Sequence, residues 1–112
     1  MIYDEFEMEK SVKLAADVLD VMYPRWTEAI KLDRLYMEDS SQCILGQIAN
    51  TLGEEYYYED LFAAVAEQVD DDAEVLVAFD LDATDEGYEA AYRYGGWLTL
   101  RQVWTKAIQE RR

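Results

Sequence analysis

The stretch Asp72-Ala73-Glu74-Val75-Leu76-Val77-Ala78-Phe79 decides between an all-helical chain and one that contains a sheet. Val75-Leu76-Val77 has the continuous apolar, β-branched character of a buried strand. A strand needs a partner, and no second segment reads clearly as one. Asp72 is a good N-cap residue, so a short helix starting just after it leaves no edge unpaired. The expected fold class is therefore all-α, a single compact helical bundle of four to six short helices.

The flanking segments agree with that reading. Residues 57–69 place Leu61, Phe62, Val65, Ala66 and Val69 on one helical face, and Asp70-Asp71-Asp72 ends that helix. Residues 42–52 repeat Ile44, Leu45, Ile48, Ala49 and Leu52 behind a Ser40-Ser41 N-cap, with Gly53 as the stop. Gly46 costs that helix roughly 1 kcal/mol against Ala, which suits the close approach of another helix. Residues 11–22 carry Val12, Ala15, Ala16, Leu19 and Met22 as one stripe, and Tyr23-Pro24 ends it. Pro24 opens a short second helix to Lys31, with Trp26, Ala29 and Ile30 inward. Residues 32–37 suit either a helical turn or an extended connector. Downstream, residues 81–87 read as a polar loop and 88–94 as a turn or two of helix. Gly95-Gly96 is a break, and 98–111 a final helix built on Leu100, Val103, Trp104, Ala107 and Ile108. Residues 1–9 read as an acidic N-terminal arm with Ile2, Tyr3, Phe6 and Met8 between its acids, and its aromatics could dock on the helical domain, residues 10–112.

Composition removes several chemistries. The 112 residues contain no histidine and one cysteine, Cys43. Histidine-based nucleophile activation, a histidine metal ligand, an intrachain disulfide and a zinc site built from four cysteines are all excluded. The acidic, charge-broken start is unlike a signal peptide, and no window approaches the ~18 apolar residues of a membrane span. The expected compartment is the cytoplasm, with Cys43 a reduced, buried small hydrophobe.

Charge is distributed unevenly. Between Leu35 and Tyr92 stand 16 acidic side chains and no basic one, within a net charge of -15. Ordinary surfaces mix both signs. Plain solubility, a salt-rich cytoplasm and a strongly basic partner are the competing explanations. The last is physical: carboxylates four apart on a helix rise about 6 Å, comparable with successive backbone phosphates. A groove lined with Lys and Arg for phosphates would accept such a face, while direct binding to nucleic acid or anionic membrane is disfavoured. The candidate partner-binding residues are Glu54, Glu55, Glu59, Asp60, Asp70, Asp71, Asp72, Glu74, Asp80, Asp82, Asp85, Glu86 and Tyr57. Tyr56-Tyr57-Tyr58 cannot all face one core, so at least one is expected outside. The C-terminal Arg93, Arg101, Lys106, Arg111 and Arg112 are expected to balance carboxylates from the middle of the chain or to favour the helix end.

Other motifs are weak. Asp80-x-Asp82-x-x-Asp85-Glu86-Gly87 puts glycine eighth, where a calcium loop needs it sixth. No phosphate loop or Gly-x-Gly-x-x-Gly occurs. No catalytic residues, metal or cofactor are assigned, and a non-enzyme is expected.

The run Ala16-Asp17-Val18-Leu19-Asp20, Tyr23-Pro24-x-Trp26, Ile30-x-Leu32-Asp33-x-Leu35-x-Met37 and Cys43-Ile44-Leu45-Gly46-Gln47 resembles a group of small acidic proteins of actinobacteria and their phages. The resemblance runs from about residue 14 to 108 and ends on Leu98-Thr99 and Trp104; Cys-Ile-Leu-Gly-Gln is its most distinctive part. Ala78-Phe79-Asp80 stands where the group often has Gly-Phe-Asp, so the helix end there loses its usual glycine. The resemblance implies a bacterial or phage cytosolic setting and brings no catalytic residues. By analogy, small acidic phage proteins often block nucleases, restriction enzymes or CRISPR effectors. The leading expectation is an inhibitor that binds a basic nucleic-acid-binding host protein through a DNA-like carboxylate face. The alternative is a small structural or ligand-binding module centred on Cys43, Gly46 and Gln47. A homodimer is left open.

Overall fold

The computed structural model describes residues 3–112; the first two residues of the expected arm lie outside them. Helix α1 spans Glu5–Met22, α2 Trp26–Ala29, α3 Ile44–Leu52, α4 Tyr58–Gln68, α5 Ala73–Leu76, α6 Asp85–Arg93 and α7 Gly96–Arg111. Two 3₁₀ turns, Leu32–Arg34 and Leu81–Ala83, complete the order, and no strand occurs among the described residues. The all-α class holds. Among the described residues the count is seven α-helices rather than four to six; α2 and α5 are single turns, and α6 starts earlier than expected.

Helix α1 corrects the expected arm. Residues 5–9 are its first turns: the Asp4 carboxylate accepts the Glu7 N–H at 3.0 Å, and Glu5 and Glu7 sit at the positive helix end. Met8 extends the buried stripe of Ser11, Val12, Ala15, Ala16 and Leu19 by one turn. Tyr23 leaves the helical region before Pro24, as its position requires. Helix α2 is one turn only, because Ile30 turns extended to bury itself.

Segment 73–79 resolves as a capped helix. The Asp72 carboxylate accepts the Glu74 N–H at 3.0 Å. Helix α5 then runs into a turn in which Phe79 N–H donates to the Leu76 carbonyl. Val75, Leu76, Val77, Ala78 and Phe79 are all buried, so the run reads like a strand because it is apolar on every side. At the centre the Trp104 indole N–H donates to the Ala78 carbonyl at 2.8 Å. The same ring packs against Phe79 and, edge-on, against Trp26, at 5.5 and 5.8 Å between centroids. Trp104 thus closes the open end of α5 and joins α2, α5 and α7.

Helix α3 starts later than expected. Cys43, not Ser40 or Ser41, is its N-cap, with its sulfur accepting the Gly46 N–H at 3.4 Å. Ser41 instead gives both its N–H and its hydroxyl to Asp39. A Cβ at Gly46 would collide with the backbone of Ser40 and Ser41. The glycine admits this loop, not another helix. The segment expected to be a polar loop, 81–87, holds buried Leu81 and the Thr84 N-cap of α6. Gly95, in the left-handed region at φ 64°, separates α6 from α7. The outermost pairing is α1 against α7.

Candidate protein-interaction face

The acid-only segment contains the starts of α4, α5, α6 and the second 3₁₀ turn, and its carboxylates are partly used there. Asp60 accepts the Tyr57 N–H at 2.9 Å at the start of α4, and Asp80 the Asp82 N–H at 2.9 Å. Asp72 caps α5. Glu59, Glu74, Asp85 and Glu86 occupy first turns, where the dipole favours them. Capping explains acids at these points; it does not explain the absence of bases over 58 positions.

Asp70 and Asp71 are placed differently. Both adopt left-handed backbone, φ 54° and 58°, a conformation that Asp tolerates better than most side chains. The Asp71 N–H donates to the Ala66 carbonyl at 2.8 Å, closing the C-terminal end of α4. Their carboxylates therefore stand beside the negative end of a helix dipole, and α4 has no basic residue in its last turn. Each charge there would be favoured by an outside cation.

Three arginines of the basic C-terminal segment are engaged away from these carboxylates. The Arg111 guanidinium pairs with Asp17 at 3.1 Å and Asp20 at 3.2 Å. Arg112 donates to the Thr27 and Ile30 carbonyls at 2.8 and 2.6 Å. Arg101 lies over the Tyr36 ring at 4.7 Å. Of the expected balancing of middle carboxylates by this basic segment, only the Arg93–Glu89 contact occurs among the described residues, while Arg111 lies in the last turn of α7, where the dipole favours it. The basic end of the chain packs back on α1 and α2, whose own acids meet it first. Among the described residues, Glu89 is the one acid between Leu35 and Tyr92 in an ion pair, an exposed contact with Arg93 at 3.9 Å.

The candidate residues fall into three groups. Glu54, Glu55, Tyr57, Glu59 and Asp60 lie at the start of α4 and are exposed. Asp70, Asp71, Asp72 and Glu74 lie beyond its other end, also exposed. The 11 residues of α4 put about 16 Å between these ends. Asp82, Asp85 and Glu86 lie in or next to the turn before α6, where Asp80 is half-buried. Of the three neighbouring tyrosines, Tyr56 and Tyr57 are exposed, and Tyr58 packs on Phe62.

Two concavities gather some of these groups. Glu74 and Glu86 meet Glu7, Tyr3 and Thr84 around one of about 280 Å³. The other, of about 210 Å³, brings Asp80 and Asp82 beside Glu38, Tyr58, Tyr92 and Trp97. Burial, then the Asp80 charge, pushes the Tyr58 hydroxyl up; the Asp82 charge is the main cause that raises Tyr92. Carboxylates beside aromatic faces suit a guanidinium or ammonium group. Sequence reasoning missed Glu38, Tyr92 and Trp97, because only the fold brings them to Asp80. No group of three or more acids and cysteine able to hold a metal ion occurs among the described residues.

Cys43, Gly46 and Gln47 are engaged internally. The Gln47 side-chain carbonyl accepts the Lys31 N–H at 2.7 Å, and its amide donates to the Gln42 carbonyl at 2.9 Å. Burial is the main cause that pushes the Cys43 thiol up to about 11. No described helix is long and apolar enough to cross a membrane. Comparison with protein-family models, curated proteins and solved structures gives no match.

Proposed function

We propose that the chain is a non-enzymatic inhibitor that binds a basic nucleic-acid-binding protein by presenting carboxylates in place of phosphates. One observation carries the reading: of the 16 acids between Leu35 and Tyr92, Glu89 alone meets a cation among the described residues, while Arg111 and Arg112 are spent on α1 and α2. The two acidic groups flanking α4 span about 16 Å, the axial rise of about five nucleotides of one strand. The cavity at Asp80, Asp82 and Glu38 would receive a lysine or arginine side chain of the partner. By analogy with small acidic phage proteins, the target class would be a host nuclease, restriction enzyme or CRISPR effector. The module centred on Cys43, Gly46 and Gln47 is the weaker reading, since all three serve α3 and its connectors.

The test is capture from host lysate at low salt, followed by elution with duplex DNA. Release of a DNA-binding protein by duplex DNA and by salt supports the proposal. A partner that neither duplex DNA nor salt displaces sinks it.

A further inference from the structure

The solvent face of α1 is self-complementary. Phe6, Lys10, Leu14, Asp17 and Val21 follow one another at three- and four-residue steps on the side opposite the buried stripe, with Lys13 three residues after Lys10 and four before Asp17. Phe6 and Val21 are 65% and 74% exposed, far more than single core-facing residues would be. Lys10 is held on this stripe by the Phe6 ring, 5.6 Å from its ammonium. The midpoint of Glu5–Met22 falls between Lys13 and Leu14. Reversing the helix about that point sets Phe6 against Val21, Lys10 against Asp17 and Lys13 against Leu14. Every apolar position then meets an apolar group or a lysine stem, and each Lys10 meets an opposite charge.

We propose that a second copy of this chain docks on this face, the two α1 helices antiparallel about a twofold axis at Lys13–Leu14. Such an interface is isologous, so one patch serves both partners. Lys10 of each copy reaches the Asp17 of the other, which Arg111 already holds at 3.1 Å. The face lies on the part of the chain outside the acid-only stretch, so it leaves those carboxylates free. A seam one helix long, about 27 Å for 18 residues, gives a weak and reversible dimer.

The test is sedimentation equilibrium of the wild-type chain, Lys10→Asp, Asp17→Lys and an equimolar mixture of the two variants, with circular dichroism to confirm folding. The wild-type mass should rise with concentration from 13.1 kDa toward twice that value. Each variant should stay monomeric, and the mixture should dimerise, because opposite charges again face each other. Val21→Ser, which touches no charge, should also remain monomeric. A wild-type chain that is monomeric throughout, variants that dimerise as wild type does, or a mixture that does not would overturn the proposal. Salt above about 0.15 M screens the Lys10–Asp17 pairs but also the repulsion between two chains of charge -15, and the apolar contacts of Phe6, Leu14 and Val21 remain, so the dimer should persist. Partner binding through carboxylates should weaken under the same change, so the two readings fail separately.

Discussion

Replacing Asp70 and Asp71 together by Asn should make the protein more stable and a poorer binder. Both residues hold left-handed backbone just beyond α4, a conformation that Asn adopts at least as easily. Two negative charges next to the negative end of a helix dipole cost about 0.3–1 kcal/mol each at low ionic strength, and α4 supplies no cation of its own to offset this. Removing both should raise the melting temperature by roughly 2–8 °C for a domain of this size. Binding should move the other way. Two exposed ion pairs with a partner at about 0.2–1 kcal/mol each amount to a twofold to thirtyfold loss of affinity at low salt. The paired assay is thermal unfolding alongside titration against the partner that duplex DNA displaces, at two salt concentrations. A destabilised protein would mean that the Asp side chains themselves hold the α4 end. Unchanged affinity at low salt would remove these carboxylates from the interface. A single-sign change in both quantities would refute the reasoning. Lysine at these positions is a poorer probe, since it enters left-handed backbone less readily.

The interior gives further tests. Trp104→Phe keeps an aromatic ring but leaves the Ala78 carbonyl without its donor; about 1–3 kcal/mol should be lost in urea unfolding, and a loss near zero would show that α5 does not depend on that bond. Cys43 should resist alkylation in the native protein near neutral pH and react at once in denaturant, because the thiol is buried and titrates near 11; fast native labelling would contradict both. Cys43, Tyr3 and Tyr58 all have folded values above their ordinary ones, so the neutral forms stabilise the fold. That stability is intact below about pH 9 and declines as pH rises through 9 toward 11 and beyond; a urea midpoint that stays level across this window would count against their burial.

Local signals reach some elements and not others. The stripe from Val12 to Leu19 and the Pro24 stop are visible in the sequence because one helix turn and one ring suffice to produce them. The short helix after Asp72 is also accessible, since a lone strand has nowhere to pair. The early start of α1 is signalled by Asp4 followed by Met8 on the stripe, but the density of acids there imitates a solvated arm. Thr84 announces α6 just as weakly, among acids that read as loop. At the candidate face, the acids themselves are legible one by one. Their cavity is not: Glu38, Asp80 and Trp97 lie in different segments and meet only after α5, α6 and α7 have packed. The destination of Arg111 is likewise invisible, because nothing local links it to Asp17 and Asp20, more than 90 residues upstream.

That distant pairing has a kinetic meaning. The helix that covers α1 is made after the other elements described above, so its docking closes a loop of more than 90 residues. Closure over about 90 residues costs roughly 4 kcal/mol of chain entropy before any contact repays it. Helix α1 can meet α5 earlier, but the part of its stripe that α7 covers stays exposed until that later helix has formed, a long-range closure of the kind that slows folding.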